Sequence, residues 1–243
     1  MAALPSYFGI SLVCLATLQG VSPAISPQEG ASHDWPTHRG DLRRSGVSPS
    51  TLAVPRLVPQ WTWTAAHGPS PAWPGPARWD AFAALPDLSS MRNYDPVFHP
   101  SVAAGRVYFG SSSEDAVFCL DAESGQTLWR YPVGGPVRVA PHVHQGRVFF
   151  GSDDGAAYCL DALRGERIWR VVAQPDAGRI WNNSRMISTH PVRTGVCVIG
   201  ERAVFGASLL PWKSSTLVSV TASTGSLDGQ DCYRRSLGTG MTL

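Results

Sequence analysis

The chain has 243 residues, of which 43% are apolar and 16% are charged, and its net charge is only +2. This composition allows a substantial core, and so small a charge argues against a nucleic acid or an anionic membrane surface as partner. Gly (24) and Pro (20) are frequent, which favours many turns and few long helices.

The N-terminal residues 1–26 predict a secretory signal peptide. Residues 7–21 are mostly apolar and precede the small residues of Ser22-Pro23-Ala24, as before a cleavage site. The apolar run is too short for a membrane span. Because no Lys or Arg stands in the first ten residues, a disordered or mis-started N-terminus is the alternative. The prediction is a secreted or periplasmic protein, in which residues 27–94 form an N-terminal arm and a Pro/Trp-rich insert.

A repeat begins after this insert. The stretch AAGRVYFGSSSEDAVFCLDAESGQTLWRY (residues 103–131) aligns with HQGRVFFGSDDGAAYCLDALRGERIWRV (residues 144–171), with one residue deleted. Each copy holds short β-branched and aromatic runs separated by Gly-containing turns, and PVRVAPHV (residues 136–143) predicts a further strand. A period of 40–41 residues is the length of a four-stranded propeller blade.

A third copy is degenerate. GERAVFGAS (residues 200–208) and LVSVTASTG (residues 217–225) resemble the first two copies, but Thr221 replaces the Asp and Gly229 stands at the Trp position. The prediction is an all-β, partial β-propeller over residues 95–243. Its two clear blades cover 95–134 and 135–175, and the degenerate blade covers 186–230.

The repeated phrase resembles the repeat of pyrroloquinoline-quinone (PQQ)-type propellers, which have the quinoprotein-dehydrogenase-like fold. It reads small residue, x, Asp, three residues, Gly, three residues, Trp, and it occurs at Asp121, Gly125, Trp129 and at Asp161, Gly165, Trp169. The resemblance implies that the Trp docks on the neighbouring blade, the Gly makes the turn and the Asp binds backbone near that turn. These residues are therefore expected to be structural. The lead-in DWPTHRGDLRRSGVSPS (residues 34–50) and the insert over 71–100 also resemble secreted bacterial members.

The number of blades is low for a closed ring. Propellers close with four to eight blades, and two clear blades with one degenerate blade predict a truncated or partial member. Open blade edges invite pairing, so a protein partner or self-association through those edges is expected.

The cysteines do not predict a metal site. Cys119, Cys159, Cys197 and Cys232 form no C-x-x-C pair, and zinc-type spacing is missing. Cys119 and Cys159 lie within apolar runs, which favours small buried side chains.

Two polar segments, MRNYDPVFHP (residues 91–100) and RIWNNSRMISTHPVRTG (residues 179–195), precede predicted strands, where loops on a rigid scaffold often bind ligands. The candidate ligand or partner residues are Arg92, Asn93, Tyr94, Asp95, His99, Asn182, Arg185 and His190. The alternative is that His99 and His190 only bond neighbouring backbone. Asn182-Asn183-Ser184 also matches a glycosylation sequon.

The sequence predicts an exported binding or assembly scaffold without a catalytic constellation or cofactor. The alternative is a fragment of a PQQ-dependent alcohol or sugar dehydrogenase. The resemblance would then imply PQQ with calcium and an Asp base, for which Asp95, Asp153 and Asp154 are candidates. The adjacent cysteines common in such enzymes are missing. The acids of the equivalent loops SEDA (residues 113–116) and SDDGA (residues 152–156) are expected to be solvated turn residues.

Overall fold

The structure is a computed structural model that describes residues 11–16, 34–48, 50–51, 57–72, 97–210 and 212–239. All regular structure in these ranges is β, in sixteen strands. None of the described residues forms a helix able to cross a membrane.

The first two strands form a small sheet of their own. Strand β1 (Ser11–Ala16) runs antiparallel to β2 (Val58–Thr64), from Ser11 opposite Thr64 to Ala16 opposite Val58. Strand β1 lies within the residues predicted as a signal peptide, and that assignment stays a prediction.

Three four-stranded antiparallel meanders follow, and we call them the first, second and third blade. The first blade holds β3 (Ser101–Ala103), β4 (Arg106–Ser111), β5 (Ala116–Asp121) and β6 (Thr127–Pro132). The second holds β7 (His142–His144), β8 (Arg147–Gly151), β9 (Ala156–Asp161) and β10 (Arg167–Val172). A hairpin of β11 (Arg179–Asn182) and β12 (Arg185–Ser188) precedes the third blade, which holds β13 (Val196–Ile199), β14 (Arg202–Ala207), β15 (Ser214–Thr221) and β16 (Tyr233–Thr239).

The third blade has all four strands although its sequence is degenerate. Ser219 lies opposite Tyr233, as Cys119 lies opposite Trp129 in the first blade. The assignment of Gly229 to the Trp position is therefore wrong, because a longer turn delays β16 and brings Tyr233 to that place. Strand β16 also runs past residue 230, the predicted end of this blade. The prediction of a strand over PVRVAPHV (residues 136–143) is wrong in part, because only its last two residues belong to strand β7.

The core lies between successive blades. One cluster joins Tyr108 and Val117 of the first blade to Val148 and Phe150 of the second. A second cluster joins the second blade to the third through Phe149, Trp169, Phe205 and Val220. Each blade therefore buries its apolar face only by stacking on a neighbour.

The same tryptophan contact recurs at three seams. The indole Nε1 of Trp61, Trp129 and Trp169 donates to the carbonyl oxygens of Ala122, Ala162 and Ala222, at 3.0, 3.1 and 2.8 Å. Each ring covers a turn glycine of the following blade. A Cβ atom added at Gly165 would lie 2.6 Å from Trp129, so a larger residue there would displace the ring. Because Trp61 makes this contact from β2, that strand acts as the outer strand of a unit before the first blade.

The turn glycines and the aspartates of the repeat shape the same turn. Gly125 has a φ of 72°, in the left-handed region that favours glycine. Asp121 Oδ1 accepts hydrogen bonds from the backbone N–H of Glu123 at 3.1 Å and of Ser124 at 2.8 Å. Asp161 Oδ1 does the same for Leu163 and Arg164, at 2.9 and 2.7 Å. Both carboxylates thus hold the turn on which a tryptophan rests.

His142 links the inner strands of the second and third blades. It is 5% exposed, and its Nδ1 accepts a hydrogen bond from the N–H of Val198 at 3.2 Å. Burial, assisted by the nearby His144, lowers the pKa of His142 to about 4. The neutral ring therefore belongs to the folded state.

Acid should weaken the protein through this side chain. In the unfolded chain His142 is protonated below about pH 6.5, whereas in the folded protein it is protonated only below about pH 4. The free energy of unfolding should thus fall across this interval, by up to about 3 kcal/mol. Urea titrations between pH 7.5 and 4.5 would measure the fall, and His142→Gln should remove this part of it. An equally steep fall in the variant would contradict the assignment.

Candidate functional site

The described part of the first polar segment, residues 97–100, and the second segment, residues 179–195, both lie in connections at the same end of the blades. In an antiparallel meander, the connection into the first strand and the connection between the second and third strands emerge at the same end. We call this end, with its described residues 65–72, 97–100, 112–115, 133–141, 152–155, 173–195, 208–210 and 212–213, the loop end. Four candidates, Arg92, Asn93, Tyr94 and Asp95, lie outside the described residues.

A buried carboxylate organises the loop end. Asp153 is 1% exposed, and its Oδ2 accepts a hydrogen bond from Arg138 Nε at 2.7 Å. Arg193 donates two hydrogen bonds to the same carboxylate, from Nε at 2.8 Å and from Nη2 at 2.7 Å. Such paired bonds from a guanidinium are both strong and directional. Asp153 thereby ties the segments that enter the second and third blades.

Asp154 has partners of its own. Its Oδ2 accepts a hydrogen bond from the hydroxyl of Tyr158 and lies 3.5 Å from Arg170 Nη2. Burial, followed by the charge of Asp154, raises the pKa of Tyr158 well above its usual value. The expectation that Asp153 and Asp154 are solvated turn residues is therefore wrong, because both carboxylates are buried and paired with arginine.

The β11–β12 hairpin is fixed on top of this cluster. Its tip residues, Asn183 and Ser184, have φ values of 47° and 61°, as in the two-residue turns that match strand twist. Asn182 Nδ2 donates to the carbonyl of Ala72 at 2.8 Å. Arg185 pairs with Asp115 and also donates to the carbonyl of Ser113. The hairpin is thus anchored to the arm and to the first blade.

The sequon within the hairpin is not accessible in this fold. Asn182 is only 7% exposed, and its amide nitrogen is already engaged with Ala72. A sugar on that nitrogen would have to displace the contact.

The two candidate histidines lie apart from the hairpin contacts. His190 is 6% exposed, its Nε2 donates to the carbonyl of Ser214 at 2.8 Å, and its Nδ1 accepts from Thr189 Oγ1 at 3.1 Å. His99 packs edge-on against His38, with 5.2 Å between ring centroids. Burial and the charge of His99 lower the pKa of His38. Of the four candidates that the structure describes, Asn182 and Arg185 are therefore the two that share one anchored element.

The loop end also exposes large apolar side chains. Trp181 is 70% exposed and Met186, which lies opposite it in the hairpin, is 44% exposed. Trp212, in the connection between β14 and β15, is 69% exposed. Rigid exposed aromatic residues are the side chains most often found at the centre of protein interfaces.

Four residues of the loop end were not among the ligand or partner residues predicted from the sequence: Arg138, Asp153, Arg193 and Trp212. The sequence carries one signal for the two arginines, since Pro-Val-Arg occurs at residues 136–138 and again at 191–193. Their shared carboxylate lies in a turn and has no such signal. Trp212 stands in an insertion with no counterpart in the other copies.

The described carboxylates of the loop end do not form a calcium site. Among the described residues, no group of three or more His, Cys, Asp or Glu side chains could hold a metal ion. The loop-end carboxylates Asp115, Asp153 and Asp154 are each paired with arginine, whereas calcium needs several free oxygen ligands.

Comparisons with known proteins agree with this architecture. A family model described as outer membrane protein assembly factor BamB matches residues 63–236. The chain is similar to a quinohemoprotein alcohol dehydrogenase from Comamonas testosteroni, with 18% identity, a TM-score of 0.58, and coverage of 84% of this chain and 27% of that one. It is also similar to BamB from Moraxella catarrhalis, with 15% identity, a TM-score of 0.42, and coverage of 72% and 44%.

Another similar structure is a quinohemoprotein alcohol dehydrogenase from Pseudomonas putida HK5, with 24% identity, a TM-score of 0.43, and coverage of 52% of this chain and 19% of that one. The chain thus spans about a fifth to a quarter of the dehydrogenases it matches. No protein of curated function matches it. Because the family model covers well over half of the residues, the chain belongs to the family described as outer membrane protein assembly factor BamB, as a partial β-propeller of PQQ-like repeats.

Proposed function

We propose that this protein is an exported scaffold that binds a protein partner at its loop end. The observation that carries the proposal is the exposed pair Trp181 and Met186, on a hairpin that buried and half-buried polar contacts hold in place. Because the hairpin is already ordered, a partner would meet a preformed surface and lose little entropy in binding. Export rests on the predicted signal peptide over residues 1–26.

The charge of the loop end supports a protein rather than a small ion as ligand. Asp115, Asp153 and Asp154 are engaged by Arg138, Arg170, Arg185 and Arg193. The carboxylates and guanidinium groups thus neutralise one another's charge, and their pairing makes the surface more rigid. The exposed apolar area remains as the feature that a partner can bury.

A direct test places a photo-crosslinking amino acid at position 181 in the native cells. The control carries it at position 163, because Leu163 is 60% exposed but lies at the opposite end of the second blade. We expect a protein adduct from position 181 only. With the purified partner, Trp181→Ala should then weaken binding at least about tenfold, as for an interface hot spot, while Leu163→Ala should not. Equal crosslinking from both positions, or unchanged affinity of Trp181→Ala, would refute the proposal.

A fragment of a PQQ-dependent dehydrogenase is the alternative function. The fold similarity to the Comamonas testosteroni enzyme favours it, while the paired carboxylates of the loop end weigh against it. Addition of PQQ with calcium would have to raise the thermal midpoint of the chain, and an unchanged midpoint would count against this alternative.

A further inference from the structure

We infer that the seam between the second and third blades holds a binding site for a small zwitterion of the α-amino-acid class. The site lies at the turn end, which we define as the end of the blades opposite the loop end, with the turns over residues 144–147, 162–166, 199–202 and 221–226. This inference goes beyond the proposed scaffold role, and its failure would leave the hairpin proposal standing.

A cavity of about 150 Å³ opens at the turn end of this seam. A cavity of that volume admits a molecule of about six non-hydrogen atoms. Both blades line it, the second through His144, Arg147 and Phe149 and the third through Glu201, Ala222 and Ser223. A bound molecule would therefore contact the second and third blades at once.

Protein groups bridge the corresponding place in the seam between the first and second blades. Arg106 Nη1 donates to the carbonyl oxygens of Ala162 and Leu163, at 3.4 and 3.0 Å. The hydroxyl of Tyr108 also donates to the carbonyl of Ala162, at 3.3 Å. An arginine and a tyrosine of one blade thus close this seam against a turn of the next blade.

The seam between the second and third blades has the same arginine but not the same bridge. Arg147 lies opposite the repeat aspartate of its blade, as Arg106 does in the first blade. The side chain of Arg147 forms no hydrogen bond or ion pair with any residue that the structure describes. Because Arg147 lines the cavity and is only half-buried, its guanidinium is available to a ligand.

Four other positions differ between the two seams. The later seam has Phe149 where the earlier one has Tyr108, His144 where it has Ala103, Glu201 where it has Gly146, and Ser223 where it has Leu163. These differences remove the bridging hydroxyl of the tyrosine and add an imidazole, a carboxylate and the hydroxyl of a serine. The place that protein groups close in the earlier seam is therefore open and polar in the later one.

The two charged groups of the cavity have opposite sign and lie on different blades. The Glu201 side chain is exposed and, like that of Arg147, has no hydrogen-bond or ion-pair partner among the described residues. A guanidinium binds a carboxylate through two parallel hydrogen bonds, and a carboxylate accepts hydrogen bonds from an ammonium group. The complementary ligand thus carries a carboxylate that faces the second blade and an ammonium group that faces the third.

The ring of Phe149 narrows the class of ligand further. Phe149 is buried and forms part of the cavity wall, so a small apolar group of the ligand can pack against it. An α-amino acid of about six non-hydrogen atoms, the size that the cavity admits, supplies the carboxylate, the ammonium group and a methyl group together. Alanine is the amino acid that meets this description.

The test titrates the isotope-labelled full chain with L-alanine, L-lactate and L-alaninamide and follows its backbone amide signals by NMR. Lactate replaces the ammonium group of alanine by a hydroxyl, and alaninamide replaces its carboxylate by a neutral amide. At concentrations up to about 50 mM, which suit so small a ligand, alanine should cause saturable shifts of the Glu201 and Ser223 signals. The signal of Glu123, which has the position of Ser223 in the first blade, should not shift. Lactate and alaninamide should each bind at least about tenfold more weakly, because each loses one charge-assisted pair.

Two variants remove one charge each. Arg147→Gln and Glu201→Gln should each weaken alanine binding at least about tenfold, and Glu201→Gln should also abolish the preference for alanine over lactate. The control Glu123→Gln, at an exposed glutamate of the first blade, should bind alanine as the unaltered chain does. Thermal unfolding without ligand checks that every variant folds. Saturating alanine should raise the thermal midpoint of the unaltered chain, since it binds only the stacked blades.

The inference would be overturned by the absence of saturable shifts with alanine. Equal affinities for alanine and lactate would also overturn it, since they would assign the cavity to an anion held by Arg147 alone. An unchanged affinity for alanine in Glu201→Gln would do the same, because that variant alters an exposed side chain and leaves the core intact.

Discussion

Trp169→Ala is expected to lower the free energy of unfolding by about 3–5 kcal/mol, the range for truncating a large buried aromatic residue. Trp169 is 6% exposed, covers Gly225 and donates to the carbonyl of Ala222 at 2.8 Å. Alanine would remove both the packing and the hydrogen bond across the seam between the second and third blades. Urea denaturation followed by circular dichroism would measure the loss.

The matched control is Trp181→Ala. Trp181 is the same residue type on the same chain but is 70% exposed, so its truncation should change stability by no more than about 0.5 kcal/mol. Trp129 is partly exposed at the preceding seam, so the loss of stability in Trp129→Ala should lie between those of Trp169→Ala and Trp181→Ala. A loss below about 1 kcal/mol for Trp169→Ala would show that the seam contributes little to stability.

Asp153→Asn should cost about 3–5 kcal/mol, as when one partner of a buried ion pair is removed. Asparagine keeps the shape of the side chain but leaves the guanidinium groups of Arg138 and Arg193 without their carboxylate. Arg138 is 9% exposed at its side chain, so water can compensate only in part. Chemical denaturation at pH 7.5 would measure the effect.

Two further variants separate charge from general damage. Asp176→Asn, at an exposed aspartate, should be neutral within about 0.5 kcal/mol. Adding Arg193→Gln to Asp153→Asn should recover part of the lost stability, because the double variant has one fewer unpaired buried charge. If the two losses simply added, Arg193 and Asp153 would not be acting as a pair.

The repeat made much of the fold predictable. Two copies of one phrase at a spacing of 40 residues define the blade length, and alternating strands such as QTLWRY define the outer strand. The all-β class and the partial propeller follow from these local patterns. The outer strand of the third blade is less predictable from the sequence, because an insertion before Tyr233 breaks the spacing that defines the repeat.

The candidate site was less predictable because its contacts join distant parts of the chain. Asp153 meets Arg138 and Arg193, which lie 15 and 40 positions away, and neither separation matches a helix or hairpin pattern. The sequence marked Arg185 as a candidate but not Asp115, its partner 70 positions earlier. Polar pairing across loops depends on how the blades stack, which the strand pattern alone does not specify.

The forward direction of the tryptophan contacts has a consequence for biogenesis. Trp61, Trp129 and Trp169 each rest on a turn that is made later than the ring itself. Ribosomes add roughly 5–20 residues per second, so the turn that each indole ring contacts is synthesised some seconds after the tryptophan itself. Each seam therefore closes only when the following blade is present, so we expect the seams to form in chain order, from the N-terminal side.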